Sequence, residues 1–258
     1  NQYKYGQIVI KSNANAVSSY LSVTNTLRLH DEYLWGIGEV PSSWPAASLE
    51  AQAIAARTYA LGKMGRIRPE CDCNIYNSTV DQNFVGYSKE IENIYGMKWK
   101  EAVNRTFMDE NSALVVTLSG KPISAFYSSS TGGATQDVKD VWGSAIAYLQ
   151  GVPDPWSLDT SINPRFAYWE RIVTQKDMAL AFGLNDVLTY RIDSRSKTGS
   201  VLSITASSAD GKLTPSNLHA STMSWPFVQS AVAEPCHVSP PSSNSADGRL
   251  ARICFTRL

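Results

Sequence analysis

Charge of either sign is in short supply. The 258 residues carry 23 Lys and Arg against 23 Asp and Glu, a formal net charge of zero. No polybasic run occurs, so no electrostatic footprint for nucleic acid exists. No apolar run approaches the roughly 20 residues of a membrane-spanning helix. Histidine is scarce. The three residues, His30, His219 and His237, lie far in sequence from Cys71 and Cys73. With no histidine to complete a ligand set there, neither a metal nor a cofactor is expected. Gly-x-Ser-x-Gly and His-Glu-x-x-His are both missing, which removes the motif-based hydrolase classes. A Ser/Gly-rich run at 127–136 has no lysine in Walker spacing and is not a phosphate-binding loop.

Cysteine is sparse too: Cys71, Cys73, Cys236 and Cys254. An even count suits disulfides in an exported protein without proving them. The expected bridges are Cys71–Cys73 and Cys236–Cys254. The chain opens at Asn1 without methionine, and a removed leader or anchor is the expectation. Hydrophobic residues make up 43% and charged residues 18%, ordinary for a globular core. The length suits one large domain or two small ones.

What is present centres on residues 27–61. Asp31 is a fair N-cap for a first helix, with apolar Leu34, Ile37 and Val40 behind it. Pro41 and Pro45 stop it and introduce a second helix, Ala-rich, with Leu49, Ala53, Ala56 and Ala60 on one stripe. Glu39 sits at the corner between them. Its neighbours Gly36, Ile37, Gly38, Val40 and Pro41 carry no charge. In apolar surroundings a carboxyl holds its proton more firmly, as a general acid for a sugar leaving group requires. A helix-end glutamate facing water is the plainer reading, and residue type alone favours it.

Along the chain, 7–10, 20–23 and 27–29 read as short strands. Residues 62–100 look loop-rich, and 100–109 helical. The run 114–118, a turn at 120–122 and a return over 123–127 read as a hairpin. Strands are expected at 166–169, 190–192 and 201–205. A helix capped by Thr174 is expected to run to Phe182.

These stretches resemble the SpoIID/LytB family of bacterial cell-wall proteins. The resemblance rests on Asn25, Asp31-Glu-Tyr-Leu-x-Gly36, Glu39-Val-Pro41, Trp44-Pro45 and Ala51-Gln-Ala-Ile-Ala-Ala-Arg-Thr-Tyr-Ala60. It continues through Ala125, Tyr127, Gly132-Gly133, Thr135, Val141-Trp-Gly143, Tyr148-Leu149 and Asp154-Pro-Trp156. It spans roughly residues 20–230, implying a catalytic domain over 1–232 and a Pro/Ser-rich extension over 233–258. The implied fold is α+β: one SpoIID-type domain of short strands and hairpins around the helical pair that carries Glu39.

The resemblance implies that Glu39 is the acid/base of a lytic transglycosylase. Such an enzyme cleaves the MurNAc-GlcNAc bond of peptidoglycan glycan strands, preferably peptide-free, and leaves 1,6-anhydro-MurNAc ends. Arg57 either holds a carboxylate or makes a helix–loop salt bridge. Tyr59, Tyr127 and Tyr148 are candidates for the cleft or, equally, the core. The Gly132-Gly133 loop would let glycan pass close to backbone. Trp35 or Trp44, with Tyr127, would stack on sugar rings. Departures from the family pattern are Ser128 for histidine, Gln136 for glutamate, and Glu50 and Gln150 for lysines. The implied location is extracytoplasmic, secreted or anchored. Glycan strands are the implied partner, with a cell-wall amidase as a second. The alternative function is a non-catalytic amidase enhancer.

Overall fold

The computed structural model describes residues 2–14, 19–69, 71–78, 80–168, 170–217 and 250–254. The chain divides into two compact units, Asn1–Tyr127 and Ser128–Leu258. Both mix helices with short strands, as α+β implies. The boundary expected near 232 and the expected partner cysteine, Cys236, lie outside the described residues.

The first unit opens with an antiparallel pair, β1 (Gln7–Ala14) and β2 (Ser19–Thr26). Residues 27–29 do not form a strand; Leu27 and Leu29 pack against the core instead. Helix α1 (Glu32–Trp35) is capped by Asp31, whose carboxylate accepts the Glu32 N–H. It is shorter than the apolar spacing suggests. From Gly36 onward the backbone bonds sideways to an extended segment at 83–86. Val85 N–H donates to Gly36 O at 2.8 Å, and Gly38 N–H to Asn83 O at 2.8 Å. Ile37 and Val40 are buried without being helical. Gly36 is required there: a Cβ would lie 2.3 Å from the Phe84 ring.

Helix α2 (Ala46–Lys63) follows Pro45 and buries the anticipated stripe, Leu49, Ala53, Ala56 and Ala60. Helix α3 (Gly96–Arg105) packs on it, and the small alanines permit the close approach. Trp99 of α3 is fully buried and donates from Nε1 to Leu34 O at 2.8 Å, satisfying a carbonyl at the end of α1. The expected hairpin shrinks to β3 (Thr117–Leu118) and β4 (Lys121–Pro122). Ser119 and Gly120 both have positive φ, the turn a two-residue hairpin loop needs. The preceding residues are drawn off the ladder. Leu114 N–H donates to Thr106 O at 2.9 Å, and Val116 N–H to Thr58 Oγ1 of α2 at 3.0 Å. A disulfide joins Cys71 and Cys73, with Cα atoms 5.2 Å apart.

The second unit begins with β5 (Gly133–Ala134), α4 (Val138–Trp142) and β6 (Pro153–Asp154), with β5 pairing antiparallel to β6. Residues 166–168 make turns rather than the expected strand. Phe166 and Ala167 N–H groups both donate back to Asn163 O, which closes the chain locally. Strand β7 (Glu170–Thr174) leads into α5 (Gln175–Phe182), capped by Thr174 and ended by left-handed Gly183. Then β8 (Thr189–Arg195), β9 (Val201–Ser207) and β10 (Leu213–Asn217) form an antiparallel meander. Strand β11 (Leu250–Cys254) pairs with β7. Val173, Met178, Phe182, Leu184 and Ala206 form this unit's core. No described helix is long and apolar enough to cross a membrane.

Candidate active site

Glu39 is half-buried at the corner between α1 and α2. Its Oε1 accepts the backbone N–H of Asn83 at 2.7 Å and the hydroxyl of Tyr127 at 3.4 Å. Asn83 also donates from Nδ2 to Gly38 O at 3.0 Å, fixing the corner from both sides. Among the described residues Oε2 has no hydrogen-bond partner.

A chain of hydrogen bonds sets the direction of the tyrosine proton. Gln82 is fully buried. Its Nε2 donates to Ala56 O at 3.2 Å and to Tyr127 Oη at 2.8 Å, and its Oε1 accepts from Tyr33 Oη at 2.8 Å. The Ala56 carbonyl, which can only accept, fixes which end of the amide faces Tyr127. Because Tyr127 Oη accepts from Gln82, its own proton points to Glu39. Burial, then the Glu39 charge, raise the Tyr127 phenol above its ordinary value, so it stays a donor. Burial does the same for Tyr33.

A second polar cluster stands behind Tyr59, whose hydroxyl donates to Asp81 Oδ1 at 3.0 Å. Burial and Asp81 push the Tyr59 phenol up to about 12. Asp81 is also held by both guanidinium nitrogens of Arg68, by Lys63 at 3.5 Å and by Tyr76 N–H at 2.9 Å. Burial alone would raise its carboxyl. Arg68, the Tyr76 N–H and the Tyr59 hydroxyl outweigh that and lower it to about 2.

Arg57 is 3% exposed and contributes to the frame. It donates to Leu114 O and Thr106 Oγ1, each at 2.9 Å, with its guanidinium 5.8 Å from the Phe107 ring centroid. It faces a carbonyl and a hydroxyl rather than a carboxylate. Burial lowers it to about 10, still charged near neutrality. Trp44 is 45% exposed. Trp35 is half-buried, with Lys100 Nζ 3.9 Å from its ring centroid and its Nε1 donating to Asn104. Glu50 receives Arg105 of α3 and so braces α2 against it.

Ser128, Gly132, Gly133, Gln136 and Tyr148 belong to the second unit. Ser128 and Tyr148 are exposed, Gln136 half-buried. Gly132 and Gly133 have φ of 68° and 105°, values an L side chain resists. Their loop is fastened internally. Gly133 N–H donates to Ser157 Oγ at 2.7 Å, Thr131 to Asp154 at 2.7 Å, and Asn163 to Ser130 at 3.0 Å. Gln150 donates to nearby Ala147 O. Among the described residues no group of three or more His, Cys, Asp or Glu is placed to hold a metal.

Sequence reasoning missed Tyr33, Gln82 and Asn83. The available signal was alternation: Gln82, Phe84 and Gly86 share the buried face of an extended stretch. A glutamine in that register needs internal partners.

Residues 18–109, which include α1, α2, Glu39 and the 82–86 segment, match the family "Stage II sporulation protein" (SpoIID). Over that stretch the chain is similar to the SpoIID/LytB family. It is 33% identical over 129 residues to the amidase enhancer of Bacillus subtilis, covering 48% of this chain and 16% of that protein. It is 30% identical over 134 residues to stage II sporulation protein D of Bacillus amyloliquefaciens, covering 49% and 38%. It is 29% identical over 196 residues to an uncharacterized protein of Brachyspira hyodysenteriae, covering 74% and 46%. The chain therefore spans less than half the length of each of these relatives.

Proposed function

We propose that this chain acts on the bacterial cell wall as a lytic transglycosylase of peptidoglycan glycan strands, with Glu39 as its acid/base. The observation that carries the reading is the asymmetry of the carboxyl. Oε1 is held by Asn83 N–H and the Tyr127 hydroxyl, and Oε2 has no partner among the described residues. The proton to be donated is then carried on Oε2. Glu39 gives it to the glycosidic oxygen as the bond to the muramic anomeric carbon breaks. The C6 hydroxyl of the same sugar attacks that carbon, and Glu39 takes the hydroxyl proton back. The product is a 1,6-anhydro end, and the acid is restored.

One carboxyl suffices because the substrate supplies the nucleophile. Ordinary glycoside hydrolysis needs a second carboxylate. Asp81, of the same unit, is a poor one: it is ionised and bonded at both oxygens by its own neighbours. Tyr59 and Tyr127 of the first unit are proposed to contact glycan, and so, separately, are Ser128, Gly132, Gly133, Gln136 and Tyr148 of the second. Arg57 is proposed to act indirectly, by holding the backbone after α3. The site of action is extracytoplasmic.

Glu39→Gln tests the reading. An amide cannot protonate the leaving oxygen, so turnover should fall about 100- to 10,000-fold. Mass spectrometry of digested glycan should show anhydro ends from the wild type and almost none from the variant. Reducing ends from the wild type would make the chain a hydrolase, with Asp137 or Asp140 as the next carboxyls to test.

A second reading is a non-catalytic enhancer of a cell-wall amidase. The similarity to an amidase enhancer favours it, as do Glu50, Ser128 and Gln150 at positions where the family carries basic residues. Binding of stripped and intact glycan without cleavage of either, together with stimulation of an added amidase, would select it.

A further inference from the structure

We propose that Lys89 is a positioning residue for Glu39, acting on the acid through the carbonyl of Val40. What the acid does rests on the transglycosylase reading. Lysine is almost never buried unless paired, because its charge must leave water. Lys89 is 4% exposed, at the end of a short 3-10 helix, Tyr87–Lys89, that follows the 83–86 segment. Its Nζ donates to Val40 O at 2.7 Å and to Glu92 Oε2 at 2.6 Å. The same Glu92 oxygen accepts the hydroxyl of buried Ser42 at 2.8 Å. Burial alone would raise the Glu92 carboxyl. Lys89 and Ser42 outweigh that and lower it, so Glu92 is a carboxylate near neutrality.

The placement of these bonds gives Lys89 its role. Every second residue of the corner is tied to the 83–92 stretch. Val85 N–H donates to Gly36 O, Asn83 Nδ2 to Gly38 O and Lys89 to Val40 O, and Ser42 donates to Glu92. Glu39 lies between the two middle bonds. Asn83 holds the peptide before Glu39, and Lys89 holds the peptide after Val40. That later peptide joins Val40 to Pro41 and has no N–H. Its carbonyl is the one group by which a hydrogen bond can fix it. An ammonium carries three donors, so Lys89 can bind a carbonyl and a carboxylate together. Proton transfer to a glycosidic oxygen needs the acid within hydrogen-bond reach, and a misplacement of about 1 Å can cost about 100-fold. Lys89 itself faces Val40 and Glu92 and takes no part in the proton transfer.

The test uses the full chain and peptide-free glycan strands. Lys89→Met keeps the length of the side chain and removes every donor. Its kcat should fall about 10- to 100-fold with KM unchanged. Glu92→Gln is the comparison. Its amide oxygen still accepts from Ser42 and Lys89, and the bond to Val40 O survives. It should lower the melting temperature and spare kcat. In a Glu39→Gln background, Lys89→Met should lower the residual turnover no further, because its effect passes through the acid. An unchanged kcat in Lys89→Met, an equal kcat loss in Glu92→Gln, or a further loss in the Glu39→Gln background overturns the proposal. Circular dichroism checks folding. If Lys89→Met does not fold, Lys89→Gln, whose amide stops one bond short of the ammonium, is read the same way. The carboxyl-carbon NMR resonance of Glu39, assigned by its absence in Glu39→Gln, reads placement without substrate. It should shift in Lys89→Met and hold in Glu92→Gln. An unmoved resonance, with full Glu39-dependent cleavage in Lys89→Met, sinks the role of Lys89 alone. If the wild type cleaves nothing and the resonance still shifts, the transglycosylase reading falls and the positioning role stands.

Discussion

At the Glu39 corner, hydrogen bonds from sequence-distant parts of the first unit converge on one carboxylate oxygen. In the 130–133 loop of the second unit they close on the loop itself. Among the described residues, Asn83, Tyr127, Gln82 and Tyr33 together leave Glu39 with one oxygen bonded and one unbonded. Ser157 and Asn163 satisfy Gly133 N–H and Ser130 Oγ and leave a fixed shape. The lesson concerns glycine as much as polarity. Gly36 admits the Phe84 ring and brings the 83–86 backbone to the carboxylate. Gly132 and Gly133 supply positive φ to a turn. The corner presents a group that can react; the loop presents a surface that can be touched.

Substitutions at the two places should therefore fail differently. Glu39→Gln, with the largest expected effect, should remove turnover while melting temperature holds. If instead it unfolds the chain, the corner is structural. Gly36→Ala comes next. Its Cβ must displace the Phe84 ring, at a cost of about 1–3 kcal/mol by overpacking. It also moves the Asn83 N–H, so a chemical denaturation curve and a glycan-cleavage rate should both drop. Full activity would mean the 83–86 segment does not position the acid.

Tyr127→Phe removes one hydrogen bond to Glu39 and leaves the ring in place. Turnover should fall about tenfold, equivalent to about 1.4 kcal/mol in barrier, with little loss of stability. Gln82→Leu should reproduce the effect if Gln82 directs the tyrosine proton.

Ser157→Ala tests the other side. It orphans Gly133 N–H and should cost about 1 kcal/mol in denaturant unfolding. In turnover it should raise KM and spare kcat, because the loop is proposed to hold glycan rather than react with it. A kcat loss as large as that of Tyr127→Phe would erase the contrast between corner and loop.

The smallest effect is confined to acid. Asp81 has its folded value lowered from 3.8 to about 2. A lowered carboxyl contributes stability that is fully present above the unfolded value and is lost as pH falls toward the folded one. Asp81→Asn should flatten the acid limb of stability between pH 3.8 and about 2. Followed by circular dichroism, an identical limb in the variant would assign acid unfolding to other groups.

Much of the frame was legible in the chain. Asp31, Pro45 and Thr174 capped helices where local rules put them, because capping depends on neighbours within four residues. The alanine stripe of α2 was equally plain, since helical period alone sets it. Errors arose where a distant backbone outbid the local one. The first helix stops at Trp35 because the 83–86 segment takes the bonds of Gly36 and Gly38. The 114–118 strand loses its ladder to α2 and to the end of α3.

The sequence by itself determined which residue is the candidate acid, because Glu39 stands inside a long run of family-matching positions. It determined the helical pair around Glu39 and the similarity of residues 18–109 to the SpoIID family. Only the tertiary structure decided what Glu39 touches. Asn83 lies 44 residues away and Tyr127 lies 88 away, and nothing in local spacing links them to a corner at 36–41. It also decided that Arg57 is buried against Leu114 O and Thr106. The physical reason is one of range. Caps and periodic stripes are settled within a turn or two of chain, whereas a half-buried carboxyl takes its hydrogen bonds from whatever packing brings alongside.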